Sequence, residues 1–300
     1  MTAQVHADLP IRLDLAMELP HELDRIAEAV RDDLLASGGP RPMVGVAYSG
    51  GVDSSVLAAL VARAVGPERT RLLLAVSASL ARRERRLAHR QAHQLGLEVH
   101  EVTTAEVDNP AYAANPADRC YYCKDEMFTR IETDVVDSLQ LDVVAYGENS
   151  DDATRPDRPG SRAAREHHVL HPLAAAGASK ADVRAIAAAL GLASAAKPAA
   201  PCLASRIPHG EPVTTEKLAA VDAAEDAVLA AGFSDCRVRH HGSIARIEIP
   251  AGEFGLIADP GRRGRLLDDV RAAGFRHATL DLGGIQSGAF TLQLLNRRPE

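Results

Sequence analysis

Short apolar runs alternate along this chain with longer stretches in which apolar residues recur every three or four positions. The short runs lie at residues 43–47, 72–77, 98–103 and 143–146, a length that suits strands. Helical spacing covers 20–35, ahead of the first strand, then 82–95, closed by Gly96, and 122–138. Ser179 and Asp182 read as a capping box for a helix that runs to Leu190 and stops at Gly191. Strand and helix therefore alternate, which predicts an α/β fold with a doubly wound parallel sheet. Ligands of such sheets sit beyond the carboxyl ends of the strands, where Ser49 and Ser77 fall.

After Ala193 the pattern changes. Thr214 or Thr215 is placed to cap a helix ending at Ala231 before Gly232, and short strands follow at 236–240 and 244–249. A helix at 262–273 and a strand at 277–282 complete a smaller α+β unit. The expected boundary lies near Ala200, with domains at residues 1–200 (opening on the 20–35 helix) and 201–300.

Composition narrows the class. Of 300 residues 46% are hydrophobic, yet Trp is absent and aromatics are 3%, so the core is packed by Ala, Val, Leu and Ile. A net charge of −7 argues against a general nucleic-acid binder. Residues 1–15 lack a basic-then-apolar leader, and no apolar run is long enough to span a membrane, so a cytoplasmic location is expected. In that compartment four cysteines suit catalysis or metal binding better than disulfides.

The first chemical signal is Ser49-Gly50-Gly51-Val52-Asp53-Ser54-Ser55, directly after the run that ends at Ala47. A strand ends, two glycines turn the chain, and a helix opens on small polar residues. That arrangement aims backbone N–H groups and a helix N-terminus at an anion, above all a phosphate. A P-loop would carry G-x-x-x-x-G-K-S/T, and no such lysine follows here. The segment resembles the PP-loop of ATP pyrophosphatases, which split ATP into AMP and pyrophosphate. Ala47, Ser49, Gly50, Gly51, Val52, Asp53 and Ser54 are the ATP-binding candidates, with Ser77 at the second strand's end as an adenosine-side edge.

The cysteines carry the second signal. Cys120 and Cys123 form a C-x-x-C pair, and Cys202 stands far along the chain before Leu203-Ala204-Ser205-Arg206. Three cysteines suit a [4Fe–4S] cluster with one open iron; three plus a histidine (His167, His168, His171 or His209) suit zinc; and a redox pair resolved by Cys202 is the third option. Cys236 reads as a core residue. In the small domain, alternation puts Arg237 and Arg239 on one strand face, and a hairpin around Gly242 would bring Ile244, Arg246 and Glu248 to the same surface. Paired arginines suit a phosphate or carboxylate, and a solvated charged face is the bland alternative.

Together, Ser49–Ser55, Cys120-Tyr121-Tyr122-Cys123-Lys124, Cys202–Pro208, Arg237-Val238-Arg239 and Leu280–Gly284 resemble the LarE sulfur transferases from about Pro20 to Ser287. The resemblance implies a PP-loop domain with a smaller C-terminal domain, assembled as a homohexamer. It implies that ATP, with Mg²⁺, adenylates a carboxylate of pyridinium-3,5-biscarboxylic acid mononucleotide. Sulfur then displaces AMP to give a thiocarboxylate on the way to the nickel-pincer cofactor of lactate racemase. By position it places Asp53 near Mg²⁺, Ser205 and Arg206 near substrate and sulfur, and Arg237 and Arg239 on the mononucleotide phosphate. Glu225 and Glu248 match acidic residues that can hold a divalent metal, with Glu253 or Asp259 as a third. The loop from Gly147 to Asp152, ending at Arg158-Pro159-Gly160, resembles a second nucleotide-side loop.

Family members find sulfur in two ways. In one, a single cysteine gives up its own sulfur and becomes dehydroalanine. In the other, three cysteines hold a [4Fe–4S] cluster whose open iron carries an extra sulfide. With Cys120, Cys123 and Cys202 together, this chain resembles the cluster type, fed by sulfide or another sulfur donor, with Cys202 a ligand rather than a sacrificed donor. Three rivals use parts of the same pattern. A PP-loop tRNA thiolase would need a broad basic surface, an amidating synthetase would leave the cysteines idle, and a non-catalytic nucleotide or iron–sulfur binding protein would leave Arg237 and Arg239 idle.

Overall fold

The computed structural model describes residues 13–153, 159–198 and 200–285. The described chain forms two compact units. One comprises the chain up to Val76, Glu84–Thr104 and Lys124–Ala200; the other comprises Ser77–Arg83, Ala105–Cys123 and the chain from Pro201 onward.

In the first unit, in chain order, α1 (His21–Gly38), β1 (Val44–Ala47), α2 (Val52–Val65), β2 (Thr70–Val76), α3 (Arg82–Leu95) and β3 (Glu98–Thr103) build most of the layers. Helix α4 (Pro110–Ala113) belongs to the second unit, and α3 and α5 (Arg119–Arg130) give residues to both. Then β4 (Val143–Tyr146), α6 (Ser150–Ala153), α7 (Pro159–Glu166), α8 (Pro172–Ala175) and α9 (Lys180–Ala189) complete the first unit. The strands pair in parallel in the order β3-β2-β1-β4, with Val46 opposite Leu72 on one side and Ala145 on the other. The α/β class and the parallel sheet read from the sequence hold. Every residue of β1 is buried, as a central strand covered on both faces requires. Helix α2 presents Val56, Leu57, Leu60 and Val61 to this core, while α1 packs on α2 and α8. The strand order reverses between β1 and β4, so their carboxyl ends flank the crevice where open α/β sheets take ligands.

The capping box of α9 is present, with Ser179 Oγ accepting from Asp182 N–H and the Asp182 carboxylate accepting from Ser179 N–H. Helix α5 departs from the spacing that predicts a helix over 122–138. It opens at Arg119 and ends at Arg130, after which Ile131–Val135 widens into a π turn with Val136 N–H on Ile131 O. Thr133 Oγ1 donates back to Thr129 O at 3.0 Å, the local competition by which Thr disturbs a regular helix. No described helix is long and apolar enough to cross a membrane.

One ion pair on this unit makes a pH prediction. Hydrogen bonds from Arg85, and then from His89, lower Glu101 from 4.5 to about 2. A lowered carboxylate stabilises the fold above its unfolded value, and that contribution is lost as pH falls toward the folded value. Glu101→Gln should therefore destabilise the protein at pH 7 and less so at pH 3, as read by urea midpoints. An equal gap at both pH values would sink this assignment.

The second unit sets α10 (Thr215–Ala230) and α11 (Pro260–Ala272) against β5 (Arg237–His241), β6 (Ile244–Glu248) and β7 (His277–Leu280). Strands β5 and β6 pair antiparallel around Gly242, and β7 joins β6 in parallel. Val221, Ala224, Val228, Val238, Ile247 and Phe275 share one buried cluster with Cys236. Thr214 Oγ1 caps α10 by accepting from Lys217 N–H.

Candidate active site

The PP-loop is wound by its own side chains. Ser49 N–H donates to Ser54 Oγ at 3.2 Å, Ser54 Oγ donates to Gly51 O at 3.1 Å, and Gly51 N–H donates to Ser49 Oγ at 3.3 Å. Gly50 sits at φ +66°, and a Cβ there would stand 3.0 Å from Ala88 Cα, so only glycine makes this turn. The first intrahelical donor onto the loop is Ser55 N–H, on Gly51 O. The N–H groups of Val52, Asp53 and Ser54 thus have no partner within α2 and present a helix N-terminus to an anion.

A cavity of about 190 Å³ opens at this point of strand reversal. Ala47, Ser49, Gly51, Asp53 and Ser54 line it from the β1 side, Tyr146, Gly147 and Asp152 from the β4 side, and Lys124 and Met127 from α5. Gly147 is the tightest joint. A Cβ there would lie 3.0 Å from Asp53 C and from Ser54 N. Asn149, fully buried, donates through one amide nitrogen to Asp53 Oδ1 and to Asp152 Oδ2, each at 3.0 Å. Lys180 Nζ donates to Asp53 Oδ2 at 2.5 Å, and Lys197 Nζ pairs with Glu84 at 2.6 Å and reaches Gly50 O at 3.2 Å. Mg²⁺ is held through one or two carboxylates plus substrate phosphates, and Asp53 and Asp152 are carboxylates of that kind beside a phosphate-type loop, but a cation at Asp53 would have to displace the Lys180 ammonium.

The second unit gathers most of the residues that the resemblance singles out. Ser205 Oγ donates to Cys202 O at 2.7 Å, and Arg206 Nη1 reaches Ser205 Oγ at 2.8 Å and Cys202 O at 3.3 Å. Arg206, 1% exposed, sends Nε to Glu225 Oε1 at 2.8 Å and Nη2 to Oε2 at 3.4 Å. Glu225 also accepts from Arg83 at 2.6 Å and from Val238 N–H at 3.0 Å. Burial by itself raises the Glu225 carboxyl, but Arg206, Arg83 and the Val238 N–H outweigh it and hold it below the usual range. Arg239 reaches Ser205 O at 3.0 Å and clasps Glu248 with two bonds of 2.9 Å, while Arg246 bridges Glu248 and Asp281. One continuous polar network thus joins Cys202, Ser205, Arg206, Glu225, Arg239 and Glu248.

Arg237 stands opposite Glu248 in register, and its Nη1 binds Asp235 and Cys236 O, each at 2.6 Å. Both arginines are more than nine-tenths buried, so this face is no solvated charged surface. A divalent cation at Glu225 or Glu248 would have to displace guanidinium groups already bound there.

Cys120 and Cys123 lie in the first turns of α5, exposed and half-buried, and Cys202 is exposed just ahead of the 3₁₀ turn at Leu203–Arg206. All three belong to the second unit, and no disulfide joins them among the described residues. Tyr112 lies within their electrostatic reach, its hydroxyl pushed up by burial and then by Cys202 and Cys123. That hydroxyl stands 2.6 Å from Ser79 Oγ, and Ser79 O accepts from Leu203 N–H. Three thiols are the right donors for an iron–sulfur cluster, but no group of three or more His, Cys, Asp or Glu side chains is arranged to hold a metal among the described residues. Burial pushes up the Cys236 thiol, which donates to Glu225 O, an inert core position.

Ser77 donates to Glu106 at 2.5 Å in the second unit and does not line the cavity. Neither Gly50 nor Val52 lines it; they shape the turn. Glu253 holds Ser234, and Asp259 caps α11 through Arg262 N–H. Arg158 lies outside the described residues. Lys180, Lys197 and Arg83 are not marked by the motifs, because nothing in their immediate sequence shows them as partners of the loop or of the buried carboxylates; Lys124 stands in the C-x-x-C-K motif with no role assigned there, and Arg246 meets Glu248 as the hairpin spacing expects.

Residues 23–135 match the asparagine synthase family. An uncharacterized protein of Synechocystis is 40% identical over 243 residues, 81% of this chain and 90% of its own. The pyridinium-3,5-bisthiocarboxylic acid mononucleotide synthase of Lactiplantibacillus plantarum is 34% identical over 248 residues, 82% of this chain and 87% of its own. An NH₃-dependent NAD⁺ synthetase of Mesorhizobium japonicum is 38% identical over 84 residues, 28% of this chain and 26% of its own. Likeness over nearly the full length of the second relative, joined to a PP-loop at the reversal point of a parallel sheet, places the chain in the LarE family of ATP-using sulfur transferases.

Proposed function

We propose that this enzyme adenylates the carboxylates of pyridinium-3,5-biscarboxylic acid mononucleotide and converts them to thiocarboxylates for a nickel-pincer cofactor. The observation that carries the reading is the 34% identity, across 82% of this chain, to a synthase named for that bisthiocarboxylic product. Adenylation exchanges a poor oxide leaving group for AMP, so that a sulfur nucleophile can take the acyl carbon.

In this reading residues 49–54 hold the triphosphate, and Asp53 with Asp152 would hold Mg²⁺ beside it. Arg237 and Arg239 receive the mononucleotide phosphate. Arg239 is clasped by fully buried Glu248, whereas Arg237 pairs with Asp235, whose side chain is 34% exposed, so a phosphate competes more easily for Arg237. Ser205 and Arg206 fix the backbone that carries Cys202. Cys120, Cys123 and Cys202 would hold a [4Fe–4S] cluster, which supplies an open iron able to carry sulfide.

The test is anaerobic purification with iron and acid-labile sulfide analysis, followed by incubation with ATP, sulfide and the mononucleotide. About four irons per chain, lost in Cys120→Ala, Cys123→Ala and Cys202→Ala, together with AMP, pyrophosphate and repeated thiocarboxylate turnover, are expected. A metal-free protein whose Cys202 loses its sulfur in a single turnover would replace the cluster with a sacrificial cysteine. Pyrophosphate release on tRNA but not on the mononucleotide would overturn the substrate.

A further inference from the structure

The loop that receives the triphosphate has no basic residue of its own; residues 49–55 offer hydroxyls, glycines and a carboxylate. Pyrophosphate leaves with multiple negative charges, and catalysis of such departures depends on cations already aimed at the developing charge. Another element must supply one.

Lys180 and Lys197 reach the loop but are held by Asp53 and Glu84, and among the described residues that line the cavity Lys124 is the basic side chain. It projects from α5 with Met127, one turn on, lining the same wall. Its ammonium stands 3.4 Å from the centre of the Tyr146 ring and 5.8 Å from that of Phe128. Gly160 leaves room for the stem, since a Cβ there would stand 3.1 Å from Lys124 Cδ and 3.3 Å from Cε. An aromatic face steadies a cation without consuming its N–H donors, which stay available to an anion in the cavity. Buried Glu148 lies within reach of the same charge. Burial alone raises its carboxyl, but hydrogen bonds from His171 and Ser161, with the Lys124 ammonium, outweigh burial and keep it ionised. The ammonium is thus preorganised on the α5 wall of the same cavity that Gly51, Asp53 and Ser54 line.

We infer that Lys124 is a pyrophosphate-binding residue, the cation that the cavity wall on α5 offers to the phosphates. As a carboxylate oxygen of the substrate bonds to the α-phosphorus, the bond from that phosphorus to the bridging oxygen breaks. The electron pair stays on the departing pyrophosphate, whose charge Lys124 offsets while keeping its own protons. The inference rests on residues 49–54 being the site of the ATP phosphates.

The experiment titrates inorganic pyrophosphate and, separately, AMP into the full-length wild type, Lys124→Met and Lys124→Arg, and measures ATP–pyrophosphate exchange in each. Lys124→Met should weaken pyrophosphate binding about tenfold or more, the loss of a charge-assisted contact, while AMP binding stays at the wild-type level. Lys124→Arg should restore most of the pyrophosphate affinity. Wild-type pyrophosphate affinity in Lys124→Met, or an arginine variant as weak as the methionine one, would overturn the inference. A wild type that binds neither ATP nor pyrophosphate would overturn the phosphate-site reading itself. If Lys124→Met does not fold, as judged by its circular dichroism, Lys124→Gln is titrated in its place.

Discussion

Glu225→Ala should cost the second unit about 3–5 kcal/mol, because it strands buried positive charge. Glu225 is fully buried, and its two oxygens take Arg206, Arg83 and the Val238 N–H. Arg206 is itself 1% exposed and cannot turn its guanidinium to water without opening the 3₁₀ turn that carries Cys202. Replacing Arg206 and Glu225 together by apolar groups of similar volume removes the stranded Arg206 charge, and only Arg83, at the rim of the pair, and the Val238 N–H still lose Glu225. The double variant Arg206→Met, Glu225→Met should therefore be less destabilised than Glu225→Ala alone. Chemical denaturation of both proteins checks the point. A cost below about 1 kcal/mol for Glu225→Ala, the scale of exposed pairs, would show that the network contributes little.

The second large effect belongs to Gly147. An alanine Cβ there would press to 3.0 Å on Asp53 C and Ser54 N, backbone atoms that cannot swing aside as a flexible side chain can. The start of α2 must then give by a few tenths of an ångström, and with it the N–H groups of its first turn. Misplacements near 1 Å cost on the order of 100-fold in rate, and a shift of a few tenths of an ångström costs less, so Gly147→Ala should lower ATP-dependent pyrophosphate release by about tenfold. Gly264→Ala, whose Cβ meets nothing within 4 Å, serves as the control and should release pyrophosphate at the wild-type rate. Near-normal release by Gly147→Ala would remove the β4 loop from the nucleotide site.

Much of the first unit was legible residue by residue. Strands β3 and β4 and helix α3 fall at 98–103, 143–146 and 82–95, where the apolar pattern puts them. The capping box of α9 follows from two residues three positions apart. The end of α5 was not legible, because the π turn at Ile131–Val135 replaces a regular ladder without a glycine or proline to announce it. Arg237 and Arg239 share a strand face in the spacing, yet their burial and their carboxylate partners depend on β6 and the loop before β5.

The sequence by itself determined the glycine turn after β1, the alternation of strand and helix, and the family, since each is written in short motifs that can be read one at a time along the chain. Only the tertiary structure decided which charges meet. Lys180 and Asp53 are 127 positions apart, and Arg83 and Glu225 are 142 apart. It also brought Cys120, Cys123 and Cys202 into one unit. Local geometry depends on a few neighbouring torsions, and periodicity reports those directly. An ion pair depends on strand order and register, which a linear pattern leaves open until the sheet closes.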